Sequence, residues 1–256
     1  METESKVKRA LKNRELTIGT WMQSSDPDIA ETLVNCGYDW ITADIEHTHF
    51  SLEAFSNMAR ALKGGPALPF ARVRENATMA IRGVLDMGAQ GIFVPLIDSA
   101  EAAEQAVRAA KYPPEGIRGF AFCRANQWGT DFDAYSKNAN QNIAVIVMIE
   151  SRAGVENIDA ILAVDGVDGV FIGPYDMSGS YGVTGQTGHK LIVDACDKVS
   201  AACAKQGKSA GLHIVLPTEH AVRDAVNKGF TLLALGTDHY FLRQSAEKAA
   251  RFGVGL

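Results

Sequence analysis

Glu150 follows directly on the apolar run Ile143–Ile149, and Asp176 closes the next such run, Gly169–Ile172, behind a Gly173-Pro174 turn. If these runs are neighbouring parallel strands, their ends lie about 5 Å apart. Two carboxylates so placed repel each other unless a cation sits between them. An all-oxygen pair suits a hard divalent ion, Mg²⁺ or Mn²⁺, with water and substrate filling its other positions. The alternative is a carboxylate paired with Arg152 or Arg72 and no metal. A third polar end, Asp44-Ile45-Glu46-His47-Thr48-His49, supplies two histidines. His47, between Glu46 and Thr48, is the better general-base candidate, because an imidazole with its ordinary pKa near 6.5 suits neutral operation. His49 competes with it on spacing alone. Arg72 stands among Phe70, Ala71 and Val73. A guanidinium in such a stretch needs an anion, either a carboxylate such as Glu150 or Asp44 or a developing oxyanion.

These residues share a position relative to the elements that carry them. Strand-like runs fall at Ile18–Met22, Trp40–Asp44, Phe70–Val73, Gly91–Leu96, Ile143–Ile149, Gly169–Ile172, Ala210–Ile214 and Leu232–Leu235. Amphipathic stretches alternate with them. Asp26-Pro27 marks a helix start, Ser51 opens a helix to Leu62, and Thr78–Met87 stops at Gly88. Ser99–Lys111, Gly154–Leu162, His189–Gln206, Thr218–Lys228 and Asp238–Phe252 complete the series. Lys6–Asn13 is expected to close the floor of a barrel. Near-continuous apolar strands imply a parallel sheet buried on both faces, and eight β–α units favour a closed α/β barrel. No Gly-x-Gly-x-x-Gly turn supports an open dinucleotide-binding sheet. We therefore expect one (β/α)₈ domain over residues 1–256. Its one unusual connection, 112–141, should fold as a lid or a subunit contact.

In such a barrel chemistry sits at the C-terminal strand ends, where Asp44 to His49, Arg72, Glu150, Tyr175-Asp176, His213 and Thr237-Asp238-His239 gather. No lysine lies on a strand run, so a Schiff-base mechanism has no nucleophile. The loops after strands seven and eight lack a glycine-rich phosphate grip, which points to an unphosphorylated substrate. With 25 basic and 30 acidic residues the net charge is −5. No basic run favours nucleic acid or an anionic membrane. The charged start, Met1 to Lys6, carries no apolar secretory segment, and Cys36, Cys123, Cys196 and Cys203 have no C-x-x-C spacing. A cytoplasmic, reduced protein is expected.

Several motifs occur together in one order: Ile18-Gly19-Thr20-Trp21, Gly37-Tyr38-Asp39-Trp40, Asp44-Ile45-Glu46-His47, Leu85-Asp86-Met87-Gly88-Ala89-Gln90, Tyr112-Pro113-Pro114-Glu115-Gly116-Ile117-Arg118-Gly119, Ile149-Glu150-Ser151, Val170-Phe171-Ile172-Gly173-Pro174 and Gly236-Thr237-Asp238. With them the chain resembles the HpcH/HpaI aldolases, metal-dependent pyruvate aldolases that include the 2,4-dihydroxyhept-2-ene-1,7-dioate and 2-dehydro-3-deoxyglucarate enzymes. The resemblance implies a hexamer, a trimer of dimers with helices exchanged between partners. It implies His47 as base, Asp86 as the group raising its basicity, and Arg72 as the residue stabilising a pyruvate enolate. It implies Glu150 and Asp176 as ligands of Mg²⁺, Mn²⁺ or Co²⁺, the backbone at Tyr175 and Asp176 as the pyruvate-carboxylate site, and Gly173 as a further substrate-binding residue.

Three positions depart from the family's habit: Ile45 for glycine, Met148 for a substrate-contacting glutamine, and Tyr175 for a small residue. Ile45 should cost the base-bearing loop backbone freedom. Met148 and Tyr175 should make the pocket smaller and more apolar, towards short or aromatic aldehydes. The expected reaction is reversible cleavage of a 4-hydroxy-2-oxoacid into pyruvate and an aldehyde. The rivals are a citrate-lyase-β type acyl-CoA lyase and a catalytically idle ligand-binding barrel.

Overall fold

In the computed structural model, which describes residues 5–253, eight parallel strands pair in chain order and close into a barrel. They are β1 (Thr17–Met22), β2 (Trp40–Asp44), β3 (Leu68–Arg72), β4 (Gly91–Val94), β5 (Ala144–Ile149), β6 (Gly169–Ile172), β7 (Ser209–Ile214) and β8 (Leu232–Thr237), with β8 paired to β1. The expected (β/α)₈ architecture is what forms. The first four residues, at which the charged N-terminal segment begins, lie outside the described range.

Side chains alternate along each strand, so one set fills the barrel and the other meets the helices. The inner set includes Trp21, Trp40, Phe70, Phe93, Ile146, Met148, Phe171 and Leu232, all buried. Large rings fit because glycines stand beside them: Gly19 pairs with Trp40, Gly91 with Phe70 and Gly211 with Phe171. A Cβ on any of the three would come within 2.4 Å of the neighbouring ring. Phe93 bridges the set, 5.3 Å from Trp21 and 5.0 Å from Phe171 between ring centroids. Below them α1 (Lys6–Asn13) plugs the floor with buried Val7 and Leu11, and Ser209 Oγ donates to the Leu11 carbonyl at 2.9 Å.

The outer helices begin where polar caps were expected. Asp26 accepts from the Asp28 N–H ahead of α2 (Pro27–Leu33), and Ser51 caps α3 (Leu52–Ala61) through the Ala54 N–H. Each cap satisfies an otherwise unpaired donor, an effect of about 1 kcal/mol. After α4 (Thr78–Asp86), Ser99 caps α5 (Ala100–Ala110). The 112–141 connection holds a 3₁₀ stretch, Arg124–Gly129, and α6 (Phe132–Asn142). It runs from the end of α5 to the start of β5, so it lies at the N-terminal end of the barrel, where the Arg124 guanidinium donates to the Met87 carbonyl at 2.8 Å. It is not a lid over the mouth.

The single helix expected over Gly154–Leu162 is two, α7 (Arg152–Glu156) and α8 (Ile158–Leu162). A short helix the composition did not mark, α9 (Pro174–Ser180), follows β6. Beyond it come α10 (Lys190–Lys205), α11 (Glu219–Asn227) and α12 (Asp238–Arg251). Strand β4 stops before Pro95, and Leu96 takes a left-handed conformation at φ 56°. In α12 only Asp238 is buried, where it accepts from the Gln23 and Ser24 N–H groups at 2.9 and 2.8 Å. Leu242 on that helix and Phe252 just beyond its end are exposed.

Candidate active site

The C-terminal ends of the strands frame a cavity of about 880 Å³ lined by Trp21, Asp44, Arg72, Met148, Glu150, Gly173, Tyr175, Asp176 and His213, among others. A larger cavity of about 1250 Å³ lies at the other end, between α1 and the 112–141 connection, away from these carboxylates.

Asp44 ends β2 and Arg72 ends β3, and the two are register partners. Arg72 donates to Asp44 through Nε at 3.0 Å and Nη2 at 2.8 Å, a forked pairing only a guanidinium makes. Its Nη1 stands 3.2 Å from Glu46 Oε2, and its Cζ lies 4.4 Å over the Trp21 ring. The apolar-strand arginine thus has the carboxylate partner foreseen at Asp44, and not at Glu150. Two of its five N–H groups are hydrogen-bonded to Asp44, and Nη1 is ion-paired with Glu46.

Glu150 is buried beyond β5, and its Oε2 accepts from the Leu96 N–H at 3.0 Å. The left-handed turn at Leu96 aims that N–H; a non-glycine residue there is costly and marks a constrained position. Gly173 leaves room on the other side, since a Cβ there would meet Glu150 Oε1 at 2.6 Å. Burial, with the Glu46 and Asp176 carboxylates nearby, pushes the Glu150 carboxyl up to about 7, against the Leu96 N–H and Arg72, which lower it. Glu46 is raised by burial in the same way, opposed by Arg72 and reinforced by Asp44 and Asp176. Four carboxylates therefore gather about Arg72, while the other cations of the cavity wall, Lys228 and Arg243, pair elsewhere, with Asp224 and Glu247. That excess of negative charge, on oxygen donors alone, fits a hard divalent cation held by Glu150 and Asp176. Among the described residues no cluster of three or more His, Cys, Asp or Glu is arranged as a complete metal cage, so water and substrate oxygens would complete the sphere.

His47 sits on the β2–α3 loop with its side chain 58% exposed, Nε2 3.6 Å from Glu46 Oε2. Its N–H donates to Asp44 Oδ1 at 3.2 Å, and Thr48 Oγ1 donates to the Asp44 carbonyl, so Asp44 shapes this loop as well as Arg72. His49 is turned away and shares a 3.1 Å hydrogen bond with Ser25 Oγ. Asp86 is not brought to His47 within the chain. It ends α4 at the opposite face, where its Oδ1 accepts from Arg118 Nη2 at 2.8 Å. Arg118 is 1% exposed and lies 4.6 Å over the Tyr112 ring. The helix runs back from the mouth, so its last residue is carried away from it.

Ile45 causes no strain. It is buried in the outer core, and its N–H donates to the Arg72 carbonyl at 3.1 Å. Met148 is 2% exposed among Trp21 and Phe171 on the inner face. Tyr175 is 69% exposed and, like Asp176 beside it, lines the cavity, but from the rim and without filling it. The expected smaller pocket is thus not made by Tyr175. Sequence patterning alone gave no part to Trp21, whose buried Nε1 has no acceptor among the described residues, or to the Leu96 N–H. Alternation along β1 was the available signal for Trp21. Nothing in the sequence marked the turn at Leu96.

The sequence profile of the HpcH/HpaI aldolase/citrate lyase family matches residues 17–245. A 5-keto-4-deoxy-D-glucarate aldolase of Escherichia coli O6:H1 (strain CFT073) is 38% identical over 247 residues, 96% of this chain and 95% of that protein. The crystal structure of an HpcH/HpaI aldolase/citrate lyase family protein from Burkholderia cenocepacia J2315 superposes with a TM-score of 0.92 at 30% identity, covering 96% of this chain and 98% of that one. An HpcH/HpaI aldolase from Desulfitobacterium hafniense DCB-2 gives 0.89 at 28% identity, covering 98% and 97%.

Proposed function

Since the chain belongs to the HpcH/HpaI aldolase/citrate lyase family and is an aldolase, a carbon–carbon lyase, we propose that it works with a divalent metal and that the mouth residues divide the chemistry as follows. The observation that carries this reading is the grouping of Glu150, Asp176, Glu46 and Asp44 around the guanidinium of Arg72. Glu150 and Asp176 would hold Mg²⁺, Mn²⁺ or Co²⁺. When bound, such an ion supplies Lewis-acid polarisation of the 2-oxoacid.

The substrate is a 4-hydroxy-2-oxoacid whose C3–C4 bond breaks. His47, directly or through water, accepts the 4-hydroxyl proton as C4 becomes the aldehyde carbonyl. The bonding pair passes to the pyruvyl fragment as its enolate, whose developing charge the Arg72 guanidinium, held by Asp44 and Glu46, faces from the cavity wall. Protonation at C3 releases pyruvate. The backbone at Tyr175 and Asp176, at the start of α9, receives the carboxylate of the oxoacid. Asp86 supports Arg118 and the N-terminal end, and reaches His47 only if a second protomer brings it there.

The relatives named for 5-keto-4-deoxy-D-glucarate support an unphosphorylated, oxygen-rich substrate. The cavity wall bears five carboxylates to three cationic side chains, which disfavours an acyl-CoA nucleotide. An oligomer with α12 exchanged between protomers accords with the exposed apolar residues on and just beyond that helix. The cytoplasm accords with four free cysteines, and no described helix is long and apolar enough to cross a membrane. Incubating the purified protein with pyruvate, Mn²⁺ and a panel of aldehydes should yield 4-hydroxy-2-oxoacids. Absence of product with every aldehyde, and no exchange of the pyruvate C3 protons, would overturn the reading.

A further inference from the structure

The inner face of β7 sets one polar side chain in the mouth that the steps above leave unused. Ser209, Gly211 and His213 alternate inward on that strand, and His213 lines the cavity with Arg72, Met148, Glu150 and Asp176. Its ring stacks on Trp21 with centroids 5.7 Å apart and planes 29° from parallel. Trp21 is also the ring under Arg72, so His213 stands within one indole of the guanidinium that faces the enolate.

The hydrogen bonds of His213 determine its tautomer. Nε2 lies 3.0 Å from the Gly236 carbonyl oxygen, which can only accept, so Nε2 carries the proton. Burial, with Arg72 close by, lowers the imidazole to about 4, so at neutral pH the ring is uncharged and Nδ1 holds a lone pair. Nδ1 has no partner among the described residues, and it is not among their sealed, unpaired atoms. It therefore opens onto the cavity.

We propose that His213 is a specificity-determining residue whose Nδ1 accepts a hydrogen bond from a hydroxyl on the aldehyde half of the substrate. The inference rests on the aldolase reading and narrows it to hydroxylated aldehydes. Several features select that class. A neutral acceptor needs a donor, which an O–H provides and a carboxylate or an alkyl chain does not. The surrounding carboxylates repel a purely anionic tail. Met148, whose soft thioether is a poor partner for a hydroxyl, leaves the imidazole as an uncharged acceptor beside Arg72, with Gln23 and Thr237 elsewhere on the cavity wall.

Two aldehydes differing only in hydroxylation, glyceraldehyde and propanal, test it. With Mn²⁺ present, kcat/KM for addition of pyruvate to each is measured in the wild type, His213→Phe, His213→Leu and His213→Gln. Exchange of the pyruvate C3 protons in deuterated water is followed in parallel, as a reading of the site without any aldehyde. His213→Phe keeps a ring against Trp21 and removes both nitrogens, and His213→Leu makes the same deletion at another volume. Each should lower the glyceraldehyde-to-propanal ratio by about three- to tenfold, the range for one hydrogen bond. His213→Gln, which retains an acceptor, should restore part of it. An unchanged ratio in variants that still exchange pyruvate protons overturns the role of His213 alone. A wild type that neither exchanges nor adds overturns the aldolase reading and this inference with it.

Discussion

Asp44 holds Arg72 through two hydrogen bonds, at 3.0 and 2.8 Å, and through its own oxygens also turns the loop that carries His47. The pair joins the ends of β2 and β3, so the orientation of the guanidinium is built into strand register. Arg72→Lys keeps the charge but loses the fork. It should lower kcat by about 10- to 100-fold, the loss expected for charge-assisted hydrogen bonds of roughly 1.5–3 kcal/mol. Arg72→Ala should also cost stability, about 3 kcal/mol or more, because Asp44 is left buried without its cation. Steady-state kinetics and urea unfolding of the two variants check both statements.

The two histidines should separate cleanly. His47→Ala is expected to lower retro-aldol turnover by about 10²–10⁴, the usual size of a general-base contribution. His49→Ala, which removes only a hydrogen bond to Ser25, should have a small effect. A larger loss from His49→Ala would move the base to that residue.

Asp86→Asn should reveal itself first in stability. Arg118 is fully enclosed with Asp86, Tyr112 and Tyr135 around it. Neutralising its carboxylate leaves a buried cation under-compensated, at a cost of about 3 kcal/mol. The melting temperature should fall accordingly, whatever happens to kcat. An unchanged melting temperature would show that the Asp86–Arg118 pair does not support this end of the barrel.

Acid should find a weak point at His213. Its pKa is lowered from an ordinary 6.5 to about 4, so the unfolded chain binds a proton there that the folded chain refuses. A depressed folded pKa gives stability that is present above pH 6.5 and lost as pH falls towards 4. At pH 4 the loss is on the order of 2–3 kcal/mol relative to pH 7. His213→Phe lacks this dependence, so its denaturation midpoint should fall less steeply over that interval than the wild type's. Parallel slopes for the two proteins would contradict the buried neutral state.

The strand ends were legible because β-branched runs and polar residues change places sharply there. The positions of Glu150 after Ile143–Ile149, and of Arg72 in Phe70–Val73, place both at one rim from the sequence alone. The sequence offers both Asp44 and Glu150 to Arg72, and the register of β2 with β3 selects Asp44. Other features arise from the fold itself. The Leu96 N–H reaches Glu150 through a left-handed residue that no composition rule favours. His213 acquires its tautomer from a carbonyl 23 residues away. The 112–141 connection was readable as an excursion, whereas its side of the barrel follows from which elements it joins. The association of Asp86 with His47 came from family likeness, and α4 carries Asp86 to the other end of the molecule.

The role of the carboxylate cluster can be read from one titration. The purified protein is treated with EDTA, freed of chelator, and assayed for pyruvate C3-proton exchange as Mg²⁺, Mn²⁺ or Co²⁺ is added back, with Glu150→Gln and Asp176→Asn alongside. Exchange should disappear on chelation and return with the cations in the wild type, while both variants need far more metal or fail to recover. Full exchange in the chelated, metal-free protein would contradict a metal held by Glu150 and Asp176.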